Sequence, residues 1–119
     1  MLSGAIGPSL AVRWRSLRAV AYRIEYDPAA EDHLARLSAR DEATVLDVVL
    51  RQLTHQPATS TRNRKRMRPN ALAPWELRIG ALRVYCEVTE EPEKLVTVRA
   101  VGIKARNRLT IGGEEVDLS

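Results

Sequence analysis

The sequence predicts an α+β fold in which a helical hairpin packs on one face of a mostly antiparallel, curved sheet. Residues 22–26 alternate apolar and polar side chains, as a short strand does. Apolar residues at helical spacing then recur between Asp27 and Pro57. Alternating segments return from Trp75 to Val101. These observations predict the order β-α-α-β-β-β, and 119 residues suffice for one domain with one core.

Each predicted helix has its own start signal. Asp27-Pro28 offers an N-cap followed by a proline at the first helical position. Ser38–Asp41 is typical of a capping box and begins the second helix, whose apolar positions run from Val45 to Leu53. Pro57 ends it, because proline cannot continue a helix.

The predicted strands imply a register. Gly80-Ala81 suits a two-residue hairpin turn, which sets Arg78 opposite Arg83 and Glu76 opposite Tyr85. A second turn over residues 89–93 then pairs Cys86 with Val96, Val84 with Val98, and Tyr85 with Thr97. This register keeps apolar side chains on one face, as a half-buried sheet requires.

The same register places Arg78, Arg83 and Arg99 in one row on the face that the helices leave open. Like charges directly opposite each other in a sheet are unfavourable, so the row indicates a site for an anion. Arginine holds phosphate in bidentate geometry. The alternative is three arginines that extend separately into water.

Charge is distributed unevenly along the chain, whose net charge is +4. Residues 58–110 carry twelve basic and five acidic residues, whereas residues 20–57 and 111–119 are each net negative. A basic half of this kind suits a polyanion, or is a solvated surface. The predicted RNA-binding residues are Arg62, Arg64, Lys65, Arg66, Arg68, Tyr85, Arg99, Arg106 and Arg108.

Several classes of protein are disfavoured. Cys86 is the single cysteine, so an internal disulfide is excluded, and His33 and His55 form no cluster with metal-ligand spacing. We therefore expect no metal or other cofactor. No apolar stretch approaches the roughly 20 residues that span a bilayer. A cytoplasmic protein without membrane contact fits best.

The chain divides into three predicted parts. Residues 1–20 form a flexible N-terminal extension, residues 21–110 the folded domain, and residues 111–119 an acidic tail. In the domain, the Asp27-Pro28 helix start, Trp75–Gly80, Leu82–Tyr85 and Val101–Arg108 together resemble the RelE/ParE superfamily of toxins from toxin–antitoxin modules.

This resemblance implies two activities. RelE-like members are endoribonucleases that cut messenger RNA in the ribosomal A site, whereas ParE-like members inhibit DNA gyrase. An antitoxin whose C-terminal segment wraps the toxin neutralises both kinds. By position, Arg83 matches the family's strand arginine, Arg78 a basic residue on the preceding strand, and Lys104 an arginine of RelE. Glu76 stands where RelE has a lysine, and Thr110 stands where RelE has its tyrosine.

We therefore expect a type II toxin that acts as a ribosome-dependent messenger RNA endoribonuclease. Its catalytic residues would be Glu76 as the base, Arg78 and Arg83 on the phosphate, and Lys104 or Arg106 at the leaving group. Its partners would be a cognate antitoxin, messenger RNA and the ribosome. The alternatives are a ParE-like inhibitor of gyrase and a toxin-fold protein that has lost catalysis.

Overall fold

The computed structural model describes residues 21–118 of the chain, so the predicted extension over residues 1–20 lies outside the described residues. The elements in chain order are β1 (Arg23–Tyr26), α1 (Pro28–Ala35), α2 (Ala39–Leu53), β2 (Arg64–Arg66), β3 (Trp75–Ile79), β4 (Leu82–Thr89), β5 (Leu95–Ala105), β6 (Arg108–Ile111) and β7 (Glu114–Val116).

One sheet joins all seven of these strands. Its order is β2-β3-β4-β5-β6-β7, with antiparallel neighbours throughout. β1 pairs in parallel with the first half of β5, at Leu95–Val98, and β6 pairs with its second half. The mostly antiparallel α+β architecture is confirmed, and β2, β6 and β7 are additions to the predicted order.

The two helices begin where their sequence signals predict. Ser38 caps α2, and its Oγ accepts a hydrogen bond from the backbone N–H of Asp41 at 3.0 Å. Asp27 occupies the N-cap position of α1 without a capping hydrogen bond from its side chain, which instead binds Arg99. None of the helices within residues 21–118 is long and apolar enough to cross a membrane.

The main core lies between the helices and one face of the sheet. Its buried members on the helices are Ala30, Leu34, Val45, Val49 and Leu53. The strands contribute Trp75, Leu77, Leu82, Val84, Cys86, Val96, Val98 and Val101. Cys86 is buried as predicted, and burial raises the pKa of its thiol to about 12.

A second, smaller core covers part of the opposite face, which the sequence predicted to be open. Its buried members are Ala73, Tyr85, Ala100, Leu109 and Ile111, with Met67, Leu72, Val116 and Leu118 packed around them. Of these residues, Leu109 and Ile111 lie on β6, Val116 lies on β7, and Leu118 follows β7. The extra strands therefore bring apolar side chains onto the predicted basic face.

The β3–β4 register is the predicted one, with Arg78 opposite Arg83 and Glu76 opposite Tyr85. Gly80 adopts a φ of 59°, which suits the first position of the turn. The β4–β5 register is not as predicted, because Val84 pairs with Val101 instead of Val98.

Two changes shift the β4–β5 pairing. The turn lies one residue later than predicted, at residues 90–94, so that Thr89 pairs with Leu95. Tyr85 then pairs with Ala100 while Cys86 pairs with Val98, which leaves Arg99 as an extra, bulged residue. Arg83 consequently lies opposite Gly102, and the predicted row of three arginines is wrong in its third member.

Candidate functional site

Glu76 is the centre of a polar cluster on the face opposite the helices. The residue is only 5% exposed, and a carboxylate buried to this extent normally has hydrogen-bonding or ionic partners. Its Oε2 accepts a hydrogen bond from the hydroxyl of Tyr85 at 2.9 Å, and its Oε1 accepts one from Nε of Arg78 at 3.2 Å. Both carboxylate oxygens of Glu76 are therefore satisfied.

Tyr85 supports this cluster from inside the second core, where it is 1% exposed. Burial raises the pKa of Tyr85, and its hydrogen bond to Glu76 raises it further, while the charges of Arg83 and Arg78 act in the opposite direction. The hydroxyl thus stays protonated and donates to Glu76. Tyr85 was predicted to bind RNA, but protein covers its ring in this structure, so the ring is not open to a base.

A cleft of about 240 Å³ opens beside Glu76. Lys65, Glu76, Tyr85 and Lys104 bring polar groups to it from strands β2, β3, β4 and β5. Its remaining lining residues are Met67, Asn107, Leu109, Val116, Asp117 and Leu118. We call this space the Glu76 cleft. It unites the carboxylates of Glu76 and Asp117 with two exposed lysines, and these residues are distant in the sequence.

Arg83 lies next to this cluster but is not among the residues that line the Glu76 cleft. Its Nη1 donates hydrogen bonds to the carbonyl oxygens of Gly80 at 2.7 Å and Leu82 at 3.0 Å. These bonds hold the partly exposed guanidinium group at the β3–β4 turn. Gly102 lies opposite, where an added Cβ would come within 2.7 Å of Ile111 Cγ1.

Arg99 is held in ion pairs away from the other two arginines. Its Nη1 lies 3.0 Å from Asp27 Oδ2 and its Nη2 lies 2.5 Å from Glu87 Oε1. The hydrogen bonds to Glu87 and to Asp27 raise the pKa of the Arg99 guanidinium. The bulge directs this charge to the two carboxylates, so the predicted row consists of Arg78 and Arg83 alone.

Arg64 was predicted to bind RNA, but the structure buries it at 5% exposure. Its guanidinium donates to the carbonyl oxygens of Gln56 at 2.6 Å, Thr59 at 3.1 Å and Gln52 at 3.1 Å. Burial lowers the pKa of Arg64. The residue fastens the end of α2 to β2, so the RNA-binding interpretation is wrong for this member of the basic run.

The other predicted RNA-binding cations lie on the surface. The exposed members are Arg62, Lys65, Arg66, Arg68, Arg106 and Arg108. The guanidinium of Arg66 lies 5.8 Å from the ring centroid of Trp75, in cation–π geometry. Arg106 has a φ of 53° in the β5–β6 turn, at the end of the sheet.

A second and larger cleft, of about 660 Å³, was missed by the sequence reasoning. Residues 66–74 form most of its wall, and Glu87 and Arg99 complete it. We call it the loop cleft. Its apolar residues Met67 and Leu72 carry no periodic signal, since they lie in an irregular loop. The strongest sequence signal in this segment was the positive charge of the basic run Arg62–Arg68.

Comparison with solved structures identifies a similar fold. One match is a chain from the crystal structure of the toxin–antitoxin complex RelBE2 from Mycobacterium tuberculosis, with a TM-score of 0.63 and 23% sequence identity. The match covers 72% of this chain and 94% of that chain. The fold is RelE-like. No protein-family model matches the sequence, and no curated protein matches it.

Within this RelE-like fold, the four predicted catalytic residues do not occupy one cleft. Glu76 and Lys104 line the Glu76 cleft together. Arg78 binds Glu76 from the rim with its side chain 43% exposed, and Arg83 lies one strand away at the register position opposite Arg78. The structure also brings Lys65, which was not predicted to be catalytic, into the Glu76 cleft.

Proposed function

We propose that this protein is the toxin of a type II toxin–antitoxin module and a ribosome-dependent messenger RNA endoribonuclease. The observation that carries the proposal is the Glu76 cleft, which places a carboxylate beside two exposed lysines on the basic face of a RelE-like fold. Cleavage of RNA through its own 2′-hydroxyl needs these kinds of group: a proton acceptor, positive charge at the phosphate and a proton donor.

Positive charge would come from the rim of the Glu76 cleft. Lys65 and Lys104 are exposed lining residues, and Arg78 and Arg83 lie at the adjoining positions of β3 and β4. A phosphate in this position would face cations from four strands. Charge-assisted hydrogen bonds from fixed donors stabilise the negative charge that develops on the phosphate oxygens in the transition state.

Proton transfer would use Glu76 and Lys104. When a substrate phosphate draws the half-exposed Arg78 toward itself, Oε1 of Glu76 becomes free to accept the proton of the 2′-hydroxyl. The 2′-oxygen then forms a bond to phosphorus, and the bond from phosphorus to the 5′-oxygen breaks. Lys104 donates a proton to that leaving oxygen, so the products are a 2′,3′-cyclic phosphate and a 5′-hydroxyl.

The catalytic assignment is tested by single-turnover cleavage of messenger RNA on programmed ribosomes. Replacing Arg83 or Lys104 with Ala removes a charge-assisted contact to the transition state, so cleavage should slow by roughly 30- to 1000-fold. Arg51→Ala is the control, because Arg51 lies on the exposed surface of α2, where it pairs with Asp47. Equal rates for all these variants would overturn the assignment.

The partner we propose is an antitoxin protein with an acidic segment that covers the basic face. The RelE-like match comes from a toxin–antitoxin complex, and residues 58–110 provide the positive charge. Expression of the chain alone should stop bacterial growth, and coexpression with its antitoxin should restore it. Unimpaired growth with the chain alone would remove the basis for calling it a toxin.

Inhibition of DNA gyrase without cleavage is the second candidate function. Two observations favour it: both oxygens of Glu76 are already occupied, and the second core covers part of the face that would receive RNA. Thr110 also lacks the ionisable side chain of the tyrosine that it replaces. In this function the exposed arginines would contact the antitoxin or the target protein.

A further inference from the structure

The loop cleft is built on a loop with its own internal hydrogen bonds. Oδ1 of Asn70 accepts from the backbone N–H groups of Leu72 at 2.7 Å and Ala73 at 3.1 Å. Its Nδ2 donates to the carbonyl oxygens of Arg68 at 2.8 Å and Ala73 at 3.0 Å. One side chain thus ties together residues 68–73, so the wall of the cleft is formed before any ligand binds.

The chemistry of this wall is mixed. Met67, Leu72 and Ala73 belong to the second core and present apolar surface to the cleft. Arg66 and Arg68 are exposed and add two positive charges. Arg99 lies across the cleft with Glu87, to which it is paired. Apolar walls with a few charged groups at the edge, in a volume of some hundreds of Å³, are typical of sites for small ligands.

The loop cleft and the Glu76 cleft are neighbours. Met67 lines both of them, so one side chain forms part of the wall between the two spaces. Lys65 and Arg66 are consecutive residues of β2 and belong to one cleft each. A chain molecule bound at the Glu76 cleft would therefore reach the loop cleft with its adjacent unit.

We propose that the loop cleft is a subsite for one nucleotide of single-stranded RNA, next to the phosphate that is cleaved. The base would lie against Met67 and Leu72, and its phosphate would be bound by Arg66 and Arg68. A nucleotide combines a flat base, whose two faces stack on apolar surface, with an anionic phosphate, and this combination matches both parts of the wall. A peptide of acidic residues alone would use the arginines and leave the apolar wall empty. This inference rests on the proposed function, because the nucleotide would be part of the messenger RNA that the proposed nuclease binds.

The experiment measures binding of the full chain to fluorescent RNA pentamers by anisotropy. All riboses carry a 2′-O-methyl group, so the RNA cannot be cleaved and binding is separated from catalysis. One pentamer is intact, and a series of others carries a single abasic position. The variants are Arg68→Ala and Leu72→Ser, with Arg51→Ala as the matched control, since Arg51 is an exposed arginine on α2 that does not line the cleft. Thermal melts confirm that each variant is folded.

We expect an abasic position at one place in the pentamer to weaken binding to the wild type by about tenfold, as loss of one stacked base does. Leu72→Ser should bind the intact and abasic pentamers with nearly equal affinity. Arg68→Ala should bind the intact pentamer about tenfold more weakly, because one phosphate contact is lost. For the same reason, the slope of log K against log salt should decrease in magnitude by about one. Arg51→Ala should bind the intact pentamer with an affinity within about twofold of the wild type.

Three results would overturn the subsite. The first is equal binding of intact and abasic RNA by the wild type. The second is equal loss of RNA affinity in Arg51→Ala and Arg68→Ala, which would indicate general charge attraction. The third is competition by hexaglutamate that Arg68→Ala abolishes while RNA binding stays unchanged, which would assign the cleft to an acidic peptide. None of these results affects cleavage on ribosomes, so failure of the subsite and failure of the nuclease proposal are distinguishable.

Discussion

Arg64 illustrates how one basic residue of a charged run can serve the fold. Its guanidinium donates hydrogen bonds to three backbone carbonyls, one in the last turn of α2 and two in the segment that follows, and its side chain is buried. Removing the guanidinium leaves these three carbonyl oxygens without their hydrogen-bond donor inside the protein. We expect Arg64→Ala to lower the free energy of unfolding by about 3 kcal/mol. Urea denaturation measures this, with Arg62→Ala as the exposed control within about 0.5 kcal/mol of wild type.

Arg64→Lys is the second variant in that comparison. Lysine keeps the charge but has no planar fork that reaches several carbonyls at once. The variant should recover only part of the lost stability. Full recovery would show that charge alone matters at this position, and the hydrogen-bond account of Arg64 would then be incorrect.

His33 gives the protein a pH-dependent stability. Nδ1 of His33 accepts a hydrogen bond from the backbone N–H of Val101 at 3.2 Å. Burial lowers the pKa of His33, with Asp32 raising it and Arg36 lowering it further. Between pH 6.5 and the lower pKa of the folded protein, the unfolded chain therefore binds a proton at His33 more readily than the folded chain does. Stability should fall from pH 7.5 to pH 5.5.

The measurement for His33 is the melting temperature at these two pH values. His33→Asn is the comparison, because Asn can place an acceptor near Nδ1 and does not titrate. The melting temperature of His33→Asn should change less across this interval than that of the wild type. The same change in both proteins would contradict the assigned role of His33.

Residues of the candidate site could be predicted only where the register was local. The Gly80-Ala81 turn fixes the positions of Glu76 and Tyr85, so their pairing followed from the sequence. The position of Arg99 did not, because its bulge depends on how β5 meets both β1 and β6. The inward direction of Arg64 likewise results from the packing of the loop.

At the scale of elements, the helices were the most predictable part, since each begins with a local signal in its own residues. β2 and β7 have three residues each and show no clear alternation. Their strand conformation comes from pairing with β3 and β6, and this context outweighs intrinsic preference. The acidic tail was therefore predicted without its strand.

The C-terminal segment should contribute to stability through the second core. Val116 and Leu118 are partly buried against the cluster that contains Tyr85. We expect the double variant Val116→Ser, Leu118→Ser to have a free energy of unfolding about 2 kcal/mol lower than that of the wild type. Each half-buried side chain contributes about 1 kcal/mol of this loss. Glu115→Ser is the exposed control on β7. Urea unfolding curves that coincide for the wild type and the double variant would contradict the packing role of this segment.

At the scale of the whole molecule, the sheet separates two different surfaces. The helices and the main core occupy one side, while the other carries the loop cleft and the Glu76 cleft with its exposed lysines. The sequence predicted this division because its charges are concentrated after residue 58. It did not predict that a second core would shape the basic side into two clefts.

The central claim is that the basic side cleaves messenger RNA on the ribosome. The most direct measurement is primer extension on a messenger RNA programmed into purified ribosomes, with and without the protein, alongside a gyrase supercoiling assay of the same preparation. We predict new 5′-hydroxyl ends within the A-site codon that require both protein and ribosome, and normal supercoiling. Intact messenger RNA together with blocked supercoiling would contradict the claim and favour the gyrase inhibitor.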